Sequence, residues 1–87
     1  KNGEPELLAS CYRSSLELAV SNGIKSIAFP SISTGVYRFP LELASDIAVN
    51  EIIKFIYEND LPDEVYIVCF DEKTYKAYSD AYKRAIL

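Results

Sequence analysis

The stretch from Ser26 to Pro40 reads SIAFPSISTGVYRFP, and its first and last thirds differ in kind. Ser26 to Phe29 is a short apolar run closed by Pro30, the pattern of a buried strand. Pro40 fixes a backbone angle suited to the start of a helix. Between them lie Ser31 to Phe39, a loop of small hydroxyl residues with Gly35 and two aromatics, Tyr37 and Phe39. The chain has only three glycines and four prolines. It places one Gly and two Pro here, which marks the stretch as more than a plain connector.

Outward from this stretch the elements follow one another closely. Upstream, Glu4 to Ser21 reads as a helix, with Leu8, Cys11, Tyr12, Ser15, Leu16 and Ala19 at helical spacing. Gly23 is placed to cap its end. Downstream, Ala44, Ile47, Ala48, Ile52, Phe55 and Ile56 form the buried stripe of a second helix, which ENDLPD terminates. Val65 to Phe70, VYIVCF, is apolar on both alternating sets of positions, so an interior strand is expected. Asp71 then caps a third helix starting near Glu72, whose apolar positions are Tyr75, Tyr78, Ala81, Tyr82 and Ala85.

The order helix, strand, helix, strand, helix contains a βαβ unit, and such units place their strands parallel. Both strands then end at one edge, with Ser31 to Phe39 after the first and Phe70 with Asp71 after the second. Ligands of open α/β sheets bind at the carboxyl ends of strands. Topology therefore nominates this loop as a site. A sheet of two strands also keeps two open edges, and further sheet is expected to complete it.

Composition narrows the functions. The 87 residues are 49% hydrophobic and 25% charged, the make-up of one small globular domain. A net charge of -4 argues against binding duplex nucleic acid or an anionic membrane through a basic patch. A small anion remains possible, because backbone dipoles hold phosphate without net positive charge. There is no histidine, which excludes Ser-His-Asp and Cys-His catalysis and any His-bearing metal site. Cys11 and Cys69 are expected as buried free thiols in a reducing, cytoplasmic compartment. No run is long enough to span a membrane. The chain begins at Lys1 and contains no Met, so a piece of something longer is expected.

Phosphate loops need backbone N–H groups, small side chains and a following helix N-terminus. SISTG followed by the Pro40 helix supplies all of these, with Ser33 and Thr34 as extra donors. The loop is neither a dinucleotide fingerprint nor a P-loop. A βα turn held by local hydrogen bonds is the plain alternative. Asp71 is read as a helix cap rather than a general base, and Tyr75, Tyr78 and Tyr82 as packing rather than a stacking platform.

Three blocks, LLASCYRSSLELA (Leu7 to Ala19), SIAFPSISTGVYRFP (Ser26 to Pro40) and VYIVCFDEKTYKAY (Val65 to Tyr78), resemble the second half of a macrodomain. The blocks come in that family's order and spacing and cover nearly the whole chain. The resemblance implies a three-layer α/β/α fold around a mixed sheet, of which residues 1–87 form the C-terminal half. It implies ADP-ribose binding in a cleft at the strand ends. Ser33, Thr34, Gly35, Val36 and Tyr37 match the loop that wraps the diphosphate through main-chain N–H groups. Tyr37 matches the aromatic beside the distal ribose, and Phe70 matches the one near the adenine. Arg38 stands where the family often has a small residue, and Phe39 reads as a plug beneath the loop. No metal and no cofactor is implied.

The family's first half, with its acidic adenine contact, Asn-containing segment and glycine-rich loop, has no counterpart in this sequence. Three expectations follow. The parent protein hydrolyses ADP-ribosyl or O-acetyl-ADP-ribose esters, in which case this chain alone is inactive and its catalytic residues lie elsewhere. Alternatively it reads ADP-ribose without chemistry. Or the chain is a structural half-domain that takes a first half, or a second copy, to complete its sheet.

Overall fold

The computed structural model describes residues 4–30, 40–60 and 62–86. Among them three helices alternate with two strands: α1 (Glu4–Ser21), β1 (Ser26–Pro30), α2 (Leu41–Glu58), β2 (Glu64–Val68) and α3 (Glu72–Ile86). The element order is the expected one, and the class is α/β.

Local chemistry sets most of the boundaries. Gly23 sits at φ +67°, a conformation that costs an L-residue but not glycine. Its N–H donates to the Val20 carbonyl at 3.0 Å, and the Ile24 N–H donates to the Ala19 carbonyl at 2.9 Å. This pair of bonds is the Schellman closure, and it satisfies carbonyls that the end of α1 would otherwise orphan. At the end of α2 the backbone of Asn59 is extended (φ -138°), which stops the helix. Its side-chain amide donates to the Phe55 carbonyl at 3.0 Å.

The strands are parallel and in register, from Ser26 opposite Glu64 to Pro30 opposite Val68. The Lys25 carbonyl accepts from both Asp63 (2.7 Å) and Glu64 (3.1 Å), which aligns the two strand starts. Pro30 lies inside β1 rather than just beyond it. β2 runs one residue earlier than expected and stops at Val68, so Cys69 and Phe70 lead out of the sheet.

The core is a single cluster. Leu8, Tyr12 and Leu16 of α1, Phe29 of β1, Ala44, Ala48, Val49, Ile52 and Phe55 of α2, and Tyr78 and Ala81 of α3 are all buried in it. Tyr12 meets Phe29 edge to face, with ring centroids 5.0 Å apart and planes at 64°. Helix α2 is the middle helix, packed on α1 at one side and α3 at the other.

Strand burial shows that the helices cover one face of the sheet. Ile27, Phe29, Val65 and Ile67 turn inward, while Ser26, Ala28, Pro30, Glu64, Tyr66 and Val68 are exposed. β2 is therefore not buried on both faces as its apolar sequence leads one to expect; Tyr66 is 54% exposed. Burial on both faces needs a covering layer on each side, and the described residues cover only one face. Two thiols depart from expectation for a related reason. Cys11 is exposed and Cys69 only half-buried, both free. Cys11 lies on the rim of the α1 stripe, outside the Leu8–Tyr12–Leu16 face. Ile56, Tyr75 and Tyr82 likewise lie at the rims of their stripes and are exposed.

Candidate functional site at the carboxyl edge of the sheet

β1 and β2 end opposite each other, at Pro30 and Val68. The chain leaves β1 at this edge and re-enters described structure at Pro40, directly before α2. Ser33, Thr34, Gly35, Val36 and Tyr37, with Arg38 and Phe39, lie outside the described residues. The described flanks of that segment are Pro30 at the end of β1 and Pro40 at the start of α2.

The far flank is the N-terminus of α2. Pro40 takes the N-cap position with φ -58° and ψ 142°, and its own side chain makes no cap hydrogen bond. Its carbonyl accepts the first helical bond, from the Ala44 N–H at 3.0 Å. The opening N–H groups of α2 therefore have no cap bond from the Pro40 side chain, and the positive end of the helix dipole lies there. Glu42 in the first turn opposes this. Arg84 of α3 offsets it, lying 2.6 Å from Asp46 and 3.9 Å from Glu42. Those carboxylates raise the guanidinium's pKa further, the hydrogen bond to Asp46 most of all. A shallow depression of about 290 Å³ runs from Leu41 and Glu42 to Lys73, Lys76, Asp80 and Arg84, and within it Lys76 pairs with Asp80 at 3.2 Å. The sequence reading missed this charged rim, because its members are spread over α3 and only the packing of α3 on α2 brings them to the helix start.

The second strand contributes Phe70 and Asp71. Phe70 is 79% exposed, so it is not a core residue. Asp71 is the cap of α3: the Thr74 N–H donates to its Oδ1 at 2.7 Å. That bond holds the Asp71 carboxyl below its ordinary pKa. A carboxylate held ionised by a helix amide is a poor general base, so its observed work is structural. Burial pushes the neighbouring Cys69 thiol up, and the Asp71 charge adds to the shift. A raised thiol pKa leaves little thiolate, which argues against a nucleophilic role. Among the described residues no group of three or more His, Cys, Asp and Glu side chains is placed to hold a metal ion. No helix among them is long and apolar enough to cross a membrane.

Comparison with known proteins extends this picture. The family model described as "Macro domain" matches residues 1–48, which include the whole of the Ser31–Phe39 loop. An O-acetyl-ADP-ribose deacetylase of Citrobacter rodentium is 49% identical over 78 residues, covering 90% of this chain and 44% of its own. The structure of the Oceanobacillus iheyensis macrodomain with ADP is 46% identical, with a TM-score of 0.92 over 98% of this chain and 44% of its own. The Trypanosoma brucei macrodomain in complex with ADP-ribose is 45% identical, with a TM-score of 0.81 over 87% of this chain and 33% of its own. The chain thus spans less than half the length of these relatives.

Proposed function

The chain belongs to the Macro domain family, and from that footing we propose that it forms the diphosphate-binding wall of an ADP-ribose cleft. Ser33, Thr34, Gly35, Val36 and Tyr37 present backbone N–H groups to the diphosphate, continued by the start of α2. Gly35 lets the phosphate approach the main chain closely. Tyr37 packs beside the distal ribose. Phe70 offers its exposed face to the adenine. One observation carries the reading: both strands end in register at a single edge, and the helix that follows Ser31–Phe39 in sequence begins at Pro40, whose side chain makes no cap bond.

The whole fold, with the further chain that its relatives possess, hydrolyses ADP-ribosyl or O-acetyl-ADP-ribose esters. The present residues contribute binding and orientation. No catalytic group is assigned to them, since Asp71 is engaged as a cap and Cys69 is held as the thiol. This division favours a second reading for the chain taken alone, as a reader wall that binds without turning over.

Calorimetric titration with ADP-ribose tests the proposal, run on the chain and on the chain joined to the unmatched part of the Oceanobacillus iheyensis macrodomain. The joined protein is expected to bind, and Gly35→Leu to weaken it at least tenfold. The chain alone is expected to bind far more weakly and to leave O-acetyl-ADP-ribose intact. Equal affinity of the Gly35→Leu protein would remove the loop from the site. Turnover by the chain alone would overturn the division of labour.

A further inference from the structure

Asn22 and Gly23 form an Asn-Gly pair just past the end of α1, and both are exposed. Such a pair carries its own chemistry. The backbone nitrogen that follows an asparagine reaches the side-chain amide carbon through a five-membered ring, and glycine has no Cβ to obstruct the approach. In the folded chain both reacting nitrogens are engaged. The attacking one, the Gly23 N–H, donates to the Val20 carbonyl at 3.0 Å. The leaving one, Asn22 Nδ2, donates to the Leu18 carbonyl at 2.8 Å. The Ile24 N–H donates to the Ala19 carbonyl at 2.9 Å and fixes the far side of Gly23.

We propose that Asn22 is a site of spontaneous deamidation, that opening of the α1 end sets its rate, and that its product unlatches that end. The reaction needs water and solvent base only. Base takes the Gly23 N–H proton, and the nitrogen attacks Asn22 Cγ. The N–Cγ bond forms, the Cγ–Nδ2 bond breaks, and ammonia leaves with a proton from solvent. Water then adds to one of the two carbonyls of the succinimide ring, whose bond to the ring nitrogen breaks as that nitrogen regains its proton. One carbonyl yields aspartate. The other yields isoaspartate, whose main chain runs through Cβ and Cγ and is one atom longer. The sum converts an amide and water to a carboxylate and ammonium.

The hydrogen bonds that hold the two nitrogens lie at an exposed helix end, where local opening costs far less than global unfolding. The folded chain therefore reacts, but more slowly than an unfolded one. Either product then works against reclosing. A carboxylate has no N–H for the Leu18 carbonyl, and it stands at the negative end of the α1 dipole. Isoaspartate also moves Gly23 and Ile24 out of step with Val20 and Ala19. The change is one-way and makes an acidic chain, at -4, more acidic still. It falls two residues before Lys25, whose carbonyl holds the Asp63 and Glu64 amides, so it touches the joint between α1 and the sheet. Asn59 supplies an internal comparison. It too is exposed past a helix end, and its side-chain amide donates to the Phe55 carbonyl at 3.0 Å. Asp60 follows it instead of glycine.

The test is incubation of the chain in mildly alkaline buffer, with and without denaturing urea. Peptide mapping by mass spectrometry reads each asparagine separately, including Asn2 of the other Asn-Gly pair, and enzymatic methylation reports isoaspartate. Asn22 is expected to convert in buffer while Asn59 stays intact, at a rate at least tenfold below that in urea. Ser21→Gly, which loosens the last turn of the helix, should raise the rate in buffer at least twofold and leave the rate in urea unchanged. Hydrogen exchange on Asn22→Asp and on the purified isoaspartate product should show at least tenfold loss of protection at the Gly23 and Ile24 amides. Equal rates in buffer and urea, or indifference to Ser21→Gly, would remove the closure from control of the reaction. Conversion of Asn59 as fast as Asn22, or none at Asn22 in buffer over a hundred half-lives of the urea reaction, would overturn the site itself. Unchanged protection in both the aspartate and isoaspartate forms would overturn the unlatching.

Discussion

Exchanging both members of the Tyr12–Phe29 pair for leucine, singly and together, measures what ties α1 to the strand that delivers the loop. The rings meet edge to face at 5.0 Å and 64°, an arrangement worth about 0.5–1.5 kcal/mol beyond the area it buries. Leucine keeps each position apolar, so the shared ring contact is the main thing both single variants lose. The double variant loses it only once. Its destabilisation should therefore fall short of the sum of the singles by about 1 kcal/mol. An 87-residue chain has a urea dependence on the order of 1 kcal/mol per molar. The non-additivity then appears as roughly 1 M in the urea midpoint, well outside the scatter of far-UV circular dichroism melts. Phe29 is the next-to-last residue of β1, so the same contact fixes the height at which the chain departs toward the site. Additivity to within about 0.3 kcal/mol, the behaviour of independent sites, would refute the claim that this pair anchors β1. A changed urea slope in any variant would void the two-state comparison and call for the exchange-protection version of the same cycle.

Two further predictions concern the helix ends. Gly23→Ala places a side chain at φ +67° with nothing within 4 Å of the new Cβ. The cost is thus conformational, on the order of 1–2 kcal/mol, and Gly23→Asn should cost less; a Tm for Gly23→Ala equal to that of the parent would contradict the Schellman closure. Asp71→Ala removes the acceptor of the Thr74 amide. Because the folded carboxyl titrates below its unfolded value, its contribution is complete above about pH 4 and disappears as the pH falls through the folded pKa. The Tm difference between parent and Asp71→Ala should therefore be present at pH 7 and shrink as the pH falls below the unfolded carboxylate range. A difference that persists in acid would assign the effect to something other than the ionised cap.

Helix signals in this chain were legible because they are local. The cap at Gly23, the cap at Asp71 and the stripe of Ala44, Ala48, Ile52 and Phe55 depend only on near neighbours in sequence, and each stands where the spacing puts it. The edge nominated as the candidate site was legible for a topological reason: a βαβ order forces two strands to finish together. The charged rim of Lys73, Lys76, Asp80 and Arg84 was not, since residues of α3 meet the start of α2 only through packing. The loop residues Ser33 to Tyr37 lie outside the described residues, so their assignment rests on the residue pattern and the family.

The departures from the sequence reading share one direction. Tyr66 and Val68 of β2, Phe70 beyond it, Ile56 of α2, and Tyr75 and Tyr82 of α3 all have apolar bulk and all are exposed. Scattered singly, such residues need no explanation. Here most of them cluster around one strand, on its open face, past its carboxyl end or on the helices beside it. The inward positions beside β1 follow the opposite pattern: Phe29, with Tyr12 and Leu16 of α1, is closed off. A sequence shaped for this chain alone would have put polar residues at Tyr66 and Val68, as a half-covered sheet ordinarily does. Their apolar character matches a sheet whose second face and far edge are meant to be covered.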